Sequence, residues 1–284
     1  MDGEIIYNGM TRAQLDDAYD NRGHAPSFAG CLERWKADSD RLYETRPALR
    51  DLRYGPKPRH RLDFFKAAEP GRPTVFYIHG GYWQWIDKEE ESFVAEGPLA
   101  RGFNVVVVEY TLAPDAGMPE IVVEVAQALD WLAPRLADYG AAADQVVLSG
   151  SSAGAHLAST LIDHPSVCAA LLLSGVYDLE PIRLSWLNDL IGMDANTAWA
   201  HSPLHHLPKR RLPICIAFGA DERPEFRRQS VAYHEALQRH GLANRLMPVP
   251  DADHFSVMDA LSSPDGSLTA ALIDLGAAAQ ASRG

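Results

Sequence analysis

Of the 284 residues only three are cysteine, Cys31, Cys168 and Cys215. They are too few and too scattered for a disulfide framework, and none stands in the CxxC spacing of a zinc ribbon. Such a chain suits a reducing, cytoplasmic compartment. Basic residues are also scarce: 26 lysines and arginines against 38 acids give a formal net charge of -12, which repels nucleic-acid backbones and anionic lipid surfaces. Neither nucleic acid nor membrane is an expected partner, and a small neutral or cationic molecule fits better. No apolar run approaches the ~18 residues needed to cross a bilayer, and Met1-Asp2-Gly3-Glu4 opens on acids where a signal peptide would need an apolar core. No internal repeat is found. At 46% hydrophobic and 23% charged residues the composition excludes a disordered chain and supports a large core.

What is present is alternation. Short strand-like runs over 49–54 and 60–66 flank a hairpin connection, buried strands are expected over 74–78 and 103–108, and further strands over 145–148, 167–174, 213–218 and 244–248. Between them lie predicted helices over 87–101, 121–136, 153–163 and 225–240, with a closing helix over 268–280. Val105 to Val108 are four consecutive valines, the pattern of a strand covered on both faces. Ile121, Val125, Leu129, Leu132 and Leu136 recur at helical spacing. Strands alternating with helices imply an α/β fold, a mostly parallel sheet with helices on both faces, in a single domain spanning 1–284. Residues 1–45 read as a polar helical lead-in anchored by Leu15, Tyr19, Phe28, Leu32, Trp35 and Leu42. Residues 179–212 break the alternation where a ligand crevice would open, and are expected to form a small cap.

The chemistry concentrates at strand ends. Gly150-Ser151-Ser152-Ala153-Gly154 joins the strand over 145–148 directly to a helix. A nucleophilic serine in such a tight turn needs small neighbours and is aimed out of the sheet above the helix N-terminus. Ser152 is therefore the candidate nucleophile. His79-Gly80-Gly81-Tyr82-Trp83 follows the strand over 74–78, and its glycines let backbone N–H groups approach a developing oxyanion; Gly81, Tyr82 and Ala153 are the candidate donors. His79 is expected to hold that loop. A serine hydroxyl needs a base and an orienting acid. His254 follows the last strand as the only histidine beyond position 240. For the acid, Asp221 and Glu222 are adjacent at a strand end, Asp178 follows another strand, and Asp253 reads as a loop carboxylate. Tyr82, Trp83 and Trp85, with Trp186 and Trp199 in the insert, either form an aromatic substrate pocket or serve as core packing. His201, His205 and His206 have loose metal-like spacing without supporting cysteines or carboxylates, so no metal is expected and they are placed in the cap.

The order serine, acid, histidine is that of α/β-hydrolases. The HGGYW loop, Glu109-Tyr110-Thr111-Leu112-Ala113-Pro114, the Ser152 elbow with Ala155-His156-Leu157, Ser174-Gly175-Val176-Tyr177-Asp178-Leu179, Pro224-Glu225-Phe226-Arg227-Arg228-Gln229-Ser230 and Asp253-His254-Phe255 together resemble the arylformamidase (kynurenine formamidase) family, which is similar to hormone-sensitive-lipase-like esterases. The resemblance covers roughly residues 60–260, and Asn21-Arg22 is similar to bacterial members. It implies the α/β-hydrolase fold and hydrolysis of an aryl formamide or small carboxylic ester through an acyl-enzyme, with no cofactor and with room for a homodimer. Counting back from Pro224, it places the acid at Glu222, where animal members carry aspartate. General esterase activity on short-chain esters is the alternative, and a non-catalytic ligand-binding protein on the same fold a remote one.

Overall fold

The computed structural model describes residues 3–281; Met1, Asp2 and residues 282–284, at the ends of the expected domain, lie outside them. A short hairpin, β1 (Ile5–Tyr7) and β2 (Met10–Thr11), opens the chain. Eight strands then form the main sheet: β3 (Ala48–Arg53), β4 (Arg61–Phe65), β5 (Arg72–Ile78), β6 (Asn104–Val108), β7 (Ala141–Ser151), β8 (Val167–Leu173), β9 (Ile214–Gly219) and β10 (Asn244–Val249). Their spatial order is β3-β4-β6-β5-β7-β8-β9-β10. β4 runs antiparallel to both its neighbours, and the pairings from β6 through β10 are parallel. This is the α/β-hydrolase fold.

The valine run explains the centre of the sheet. Val106 and Val108 face a core that includes Ile121, Val125 and Leu129, whereas Val105 and Val107 face a second core with Phe103, Leu171 and Leu272. Burying each valine contributes roughly 1.5–3 kcal/mol, and doing so on both faces leaves no solvent-facing register for the strand to slip into.

Two helices differ from the sequence pattern for local reasons. The apolar stripe expected over 121–136 is an α-helix only from Met118 to Leu132; Pro134, which lacks an N–H, turns Ala133–Arg135 into a 3-10 turn, though Leu136 stays buried. The helix expected over 87–101 is broken into Lys88–Glu91, a 3-10 turn Ser92–Ala95 and Glu96–Ala100. Pro98 cannot donate back along a continuous helix, so the chain tightens one turn earlier. Within the lead-in expected over 1–45, residues Arg12–Ala18 and Cys31–Thr45 are helical, while residues 5–11 form the β1-β2 hairpin.

Candidate active site

The loops that carry the chemistry leave the C-terminal ends of adjacent strands β5, β7, β8, β9 and β10. At the end of β7 the backbone of Ser152 takes φ 52° and ψ -115°, a conformation side-chain-bearing residues rarely adopt. Its N–H donates to Leu173 O at 2.8 Å, and the helix Ala153–Thr160 starts on the next residue. Gly154 makes this turn feasible: a Cβ there would sit 1.9 Å from Ile78 O. The elbow motif thus records a close approach between the helix and β5.

After β5, Gly81, Tyr82 and Trp83 have φ of 90°, 51° and 60°. Gly81 O accepts from Gln84 N at 2.9 Å and Trp85 N at 3.0 Å, and Ala113 N donates to Trp83 O at 2.8 Å, so the carbonyls of this loop are engaged inside the protein. The N–H groups of Gly81, Tyr82 and Ala153 donate to no protein acceptor among the described residues. His79 is fully buried, stacks on Tyr110 at 4.3 Å, and bonds Gly80 O and Glu109 Oε1, each at 3.0 Å. Burial alone would lower its pKa, but the Glu109 carboxylate overrides this and raises it. His79 holds the loop and does not face the cavity.

His254 and Glu222 meet across the ends of β9 and β10, with Nδ1 of the ring 3.0 Å from Glu222 Oε2. The other oxygen, Glu222 Oε1, accepts from Gly219 N at 2.7 Å and from the Ser174 hydroxyl, so the carboxylate is fixed at three points. Asp221 points to solvent. Asp178 is used elsewhere, accepting from the Tyr7 hydroxyl at 2.8 Å and Glu180 N at 3.0 Å. Ser174, at the end of β8 with φ 52°, carries no sequence signal for this buttressing role.

Ser152 and His254 open onto a cavity of about 140 Å³. Its walls come from the loop after β5 (Gly81, Tyr82, Trp85), from Phe255 and Met258, and from the lead-in residues Asn21, Arg22, Phe28, Leu32 and Trp35. None of residues 179–212 lines it; the lead-in forms its roof, and the insert contacts the lead-in through Trp186 and Asp16 and the loop after β5 through Leu187 and Gln84. The anchor is Asp253, whose carboxylate accepts from Ser27 N at 3.0 Å and Ser27 Oγ at 2.5 Å as well as from Phe255 N and Ser256 N. Burial would raise this carboxyl, but those N–H and O–H donors hold it at about 2. The Tyr82 hydroxyl adds a second tie, donating to Tyr19 O at 2.8 Å and accepting from Asn21 Nδ2 at 3.3 Å. The sequence marks Phe28, Leu32 and Trp35 only as packing anchors of the lead-in; the structure also places them on the cavity wall.

Of the three tryptophans expected to bind substrate, Trp85 lines the cavity. Trp83 does not: it is fully buried beneath the loop, edge-on to His156 at 5.1 Å, because φ 60° turns it inward. Trp186 does not either, and supports Trp85 from behind at 6.0 Å. In the insert, Trp199 stacks with His205 and meets His206 edge-on, and His201 and His206 line a separate surface cleft. Among the described residues one carboxylate group, Asp87, Glu89 and Glu109, clusters within 4.8 Å. Lys88, Arg59 and Arg61 already pair with Glu89 and Glu109, and Asp87 caps a helix.

Fold and site together define a hydrolase of the α/β-hydrolase class. The family model BD-FAE matches residues 62–162. A solved structure from Silicibacter sp. tm1040, a provisionally named thioesterase, is 28% identical with a TM-score of 0.82 over 90% of this chain and 98% of that one. Kynurenine formamidases from Danio rerio and Salmo salar are 31% and 32% identical, each alignment covering 84% of this chain and 86% of the relative. The chain belongs to the kynurenine formamidase family. No helix among the described residues is long and apolar enough to cross a membrane.

Proposed function

We propose that the protein hydrolyses a small aryl formamide, with Ser152 as nucleophile, His254 as base, Glu222 as the acid that orients it, and the N–H groups of Gly81, Tyr82 and Ala153 as the oxyanion hole. Ser152 Oγ attacks the formyl carbon while its proton passes to His254 Nε2. Glu222 accepts from Nδ1–H and stabilises the imidazolium. The oxyanion meets the three N–H groups, which are fixed before reaction and so cost no reorganisation. Collapse breaks the C–N bond, and His254 returns the proton to the departing aryl amine. Water, activated by His254, then releases formate from the formyl-enzyme.

The observation that carries this reading is the cavity. About 140 Å³ walled by Phe28, Trp35, Tyr82, Trp85 and Phe255 holds roughly one aromatic ring, which leaves space for only a small acyl group at Ser152. Family membership supports the same choice. Arg22 lies over the Trp85 ring at 4.0 Å and is, among the described residues, the one lysine or arginine on the cavity wall, so an anionic group on the aryl amine would meet it there. Side-by-side kcat/KM values for N-formylkynurenine and for aryl acetate and butyrate esters test the proposal. The formamide should lead by at least tenfold; equal or better turnover of butyrates would make the protein a general esterase. Ser152→Ala should abolish both activities.

The finer setting we propose is one domain working in the cytoplasm on a small molecule. Exposed Leu190 and Trp199 on the insert support a homodimer, which light scattering would register as twice the chain mass.

A further inference from the structure

Glu91 ends the helix Lys88–Glu91, is 2% exposed and forms part of the cavity wall, yet the reaction above gives it no step. Its Oε2 accepts from the Tyr77 hydroxyl at 2.8 Å and the Ser151 hydroxyl at 3.1 Å, and both carboxylate oxygens stand 3.3 Å from Gly80 N. Gly80 immediately precedes Gly81, and Ser151 immediately precedes Ser152. One carboxyl group therefore ties together the two backbone segments that supply the oxyanion donors. The packing between them is close: a Cβ on Gly80 would lie 2.9 Å from Ser151 Oγ and 3.4 Å from Glu91 Oε1.

The carrier of this carboxyl is rigid. Asp87 and Glu90 form a reciprocal capping box at the start of the helix, Lys88 N donates to Glu109 at 3.2 Å, and the buried Lys88 ammonium reaches Asp63 at 2.8 Å. Burial raises the Glu91 carboxyl above the ordinary range, opposed by the neighbouring His79 charge and by the donors from Tyr77, Ser151 and Gly80. An acid in an apolar wall is expensive unless its oxygens are satisfied. Here the satisfying donors come from both sides of the gap an oxyanion must fill.

We propose that Glu91 is a positioning residue that sets the spacing between the oxyanion loop and the nucleophile elbow. The inference rests on the assignment of Ser152 and the oxyanion donors above. Its consequence is selective: losing the tie weakens binding of the tetrahedral species and leaves binding of the flat substrate and product unchanged.

The full-length protein with an aryl formamide substrate tests this, using an arylboronic acid as tetrahedral mimic and the aryl amine product as ground-state ligand. Glu91→Ala should lower kcat by ~10–100-fold, below the ~10²–10³-fold loss of an oxyanion donor removed outright. Boronate affinity should fall by a similar factor, while KM and product affinity stay within about twofold. Glu91→Gln, which keeps an acceptor oxygen of the same reach, should return kcat to within about threefold of the parent. Ser151→Ala removes one tether without touching Glu91 and should show a weaker form of the same pattern, which keeps the test decisive should Glu91→Ala fold poorly. The inference is overturned if folded Glu91→Ala or Ser151→Ala keeps parental kcat, if boronate and product affinities fall equally, or if Glu91→Gln is as impaired as Glu91→Ala. An active Ser152→Ala variant would instead overturn the underlying assignment, so the two failures are distinguishable.

Discussion

Asp221 and Glu222 are chain neighbours of the same charge, but the turn after β9 sends one to solvent and the other to His254. Geometry separates what chemistry alone leaves equivalent. Glu222→Gln should lower kcat on the order of 10³–10⁴-fold through loss of the correct imidazole tautomer, whereas Asp221→Asn should stay within about twofold of the parent in the same assay. A second residue-scale consequence concerns His156, fully buried, with its Nε2 2.8 Å from His201 O. Burial lowers its pKa to about 4. Above the unfolded value of ~6.5 neither state binds the proton. As pH falls below that value the unfolded chain takes up a proton the folded one refuses, so stability declines until about pH 4. The contribution is about 3 kcal/mol, and denaturant unfolding across pH 7 to 4 should show it; His156→Leu should flatten that part of the profile.

At the scale of elements, the lead-in is the part whose role changes most between sequence and structure. Its hold on the site passes through the Ser27-Asp253 contact, made by residues 226 positions apart. Asp253→Ala removes several charge-assisted hydrogen bonds at once and should cost about 1.5–3 kcal/mol. Because Asp253 adjoins His254 and anchors the roof, KM should rise in this variant and proteolysis should concentrate in residues 21–30. The depressed carboxyl makes the same tie acid-sensitive: its stabilisation is present above the ordinary aspartate pKa and is lost as pH falls toward about 2. Arg22→Ala leaves this anchor intact and should raise KM for a carboxylate-bearing substrate by roughly tenfold, while an uncharged aryl formamide should show little change.

For the molecule as a whole, what could be read in advance is what local physics enforces. The four valines, the helical stripe from Ile121 to Leu132 and the glycines of the elbow each answer to a nearby constraint: burial on two faces, burial on one, and a backbone approach that excludes a Cβ. Ser152 and His254 are legible as candidates for the same reason, since strand ends and loop positions are local, whereas the choice of Glu222 over Asp221 rests on the family resemblance. The roof was not legible. Asn21, Arg22, Phe28, Leu32 and Trp35 reach the cavity through contacts with segments far along the chain, and nothing in their spacing distinguishes a substrate wall from ordinary packing. For Trp83 the sequence leaves pocket and core open, and its positive φ buries it in the core.

That same roof has a consequence for how the protein comes into being. The cavity joins residues near position 21 to His254, with Ser152 between them in the sequence. During synthesis β5 to β8 can pair, and the elbow can form, well before the ribosome reaches the histidine loop. Until that loop emerges, the early segment has no Asp253 to grip and Ser152 lacks its proposed base. On the proposed assignment, catalytic competence arrives late in translation, and a chain stopped before β10 would carry Ser152 without its proposed base and is expected to be inactive.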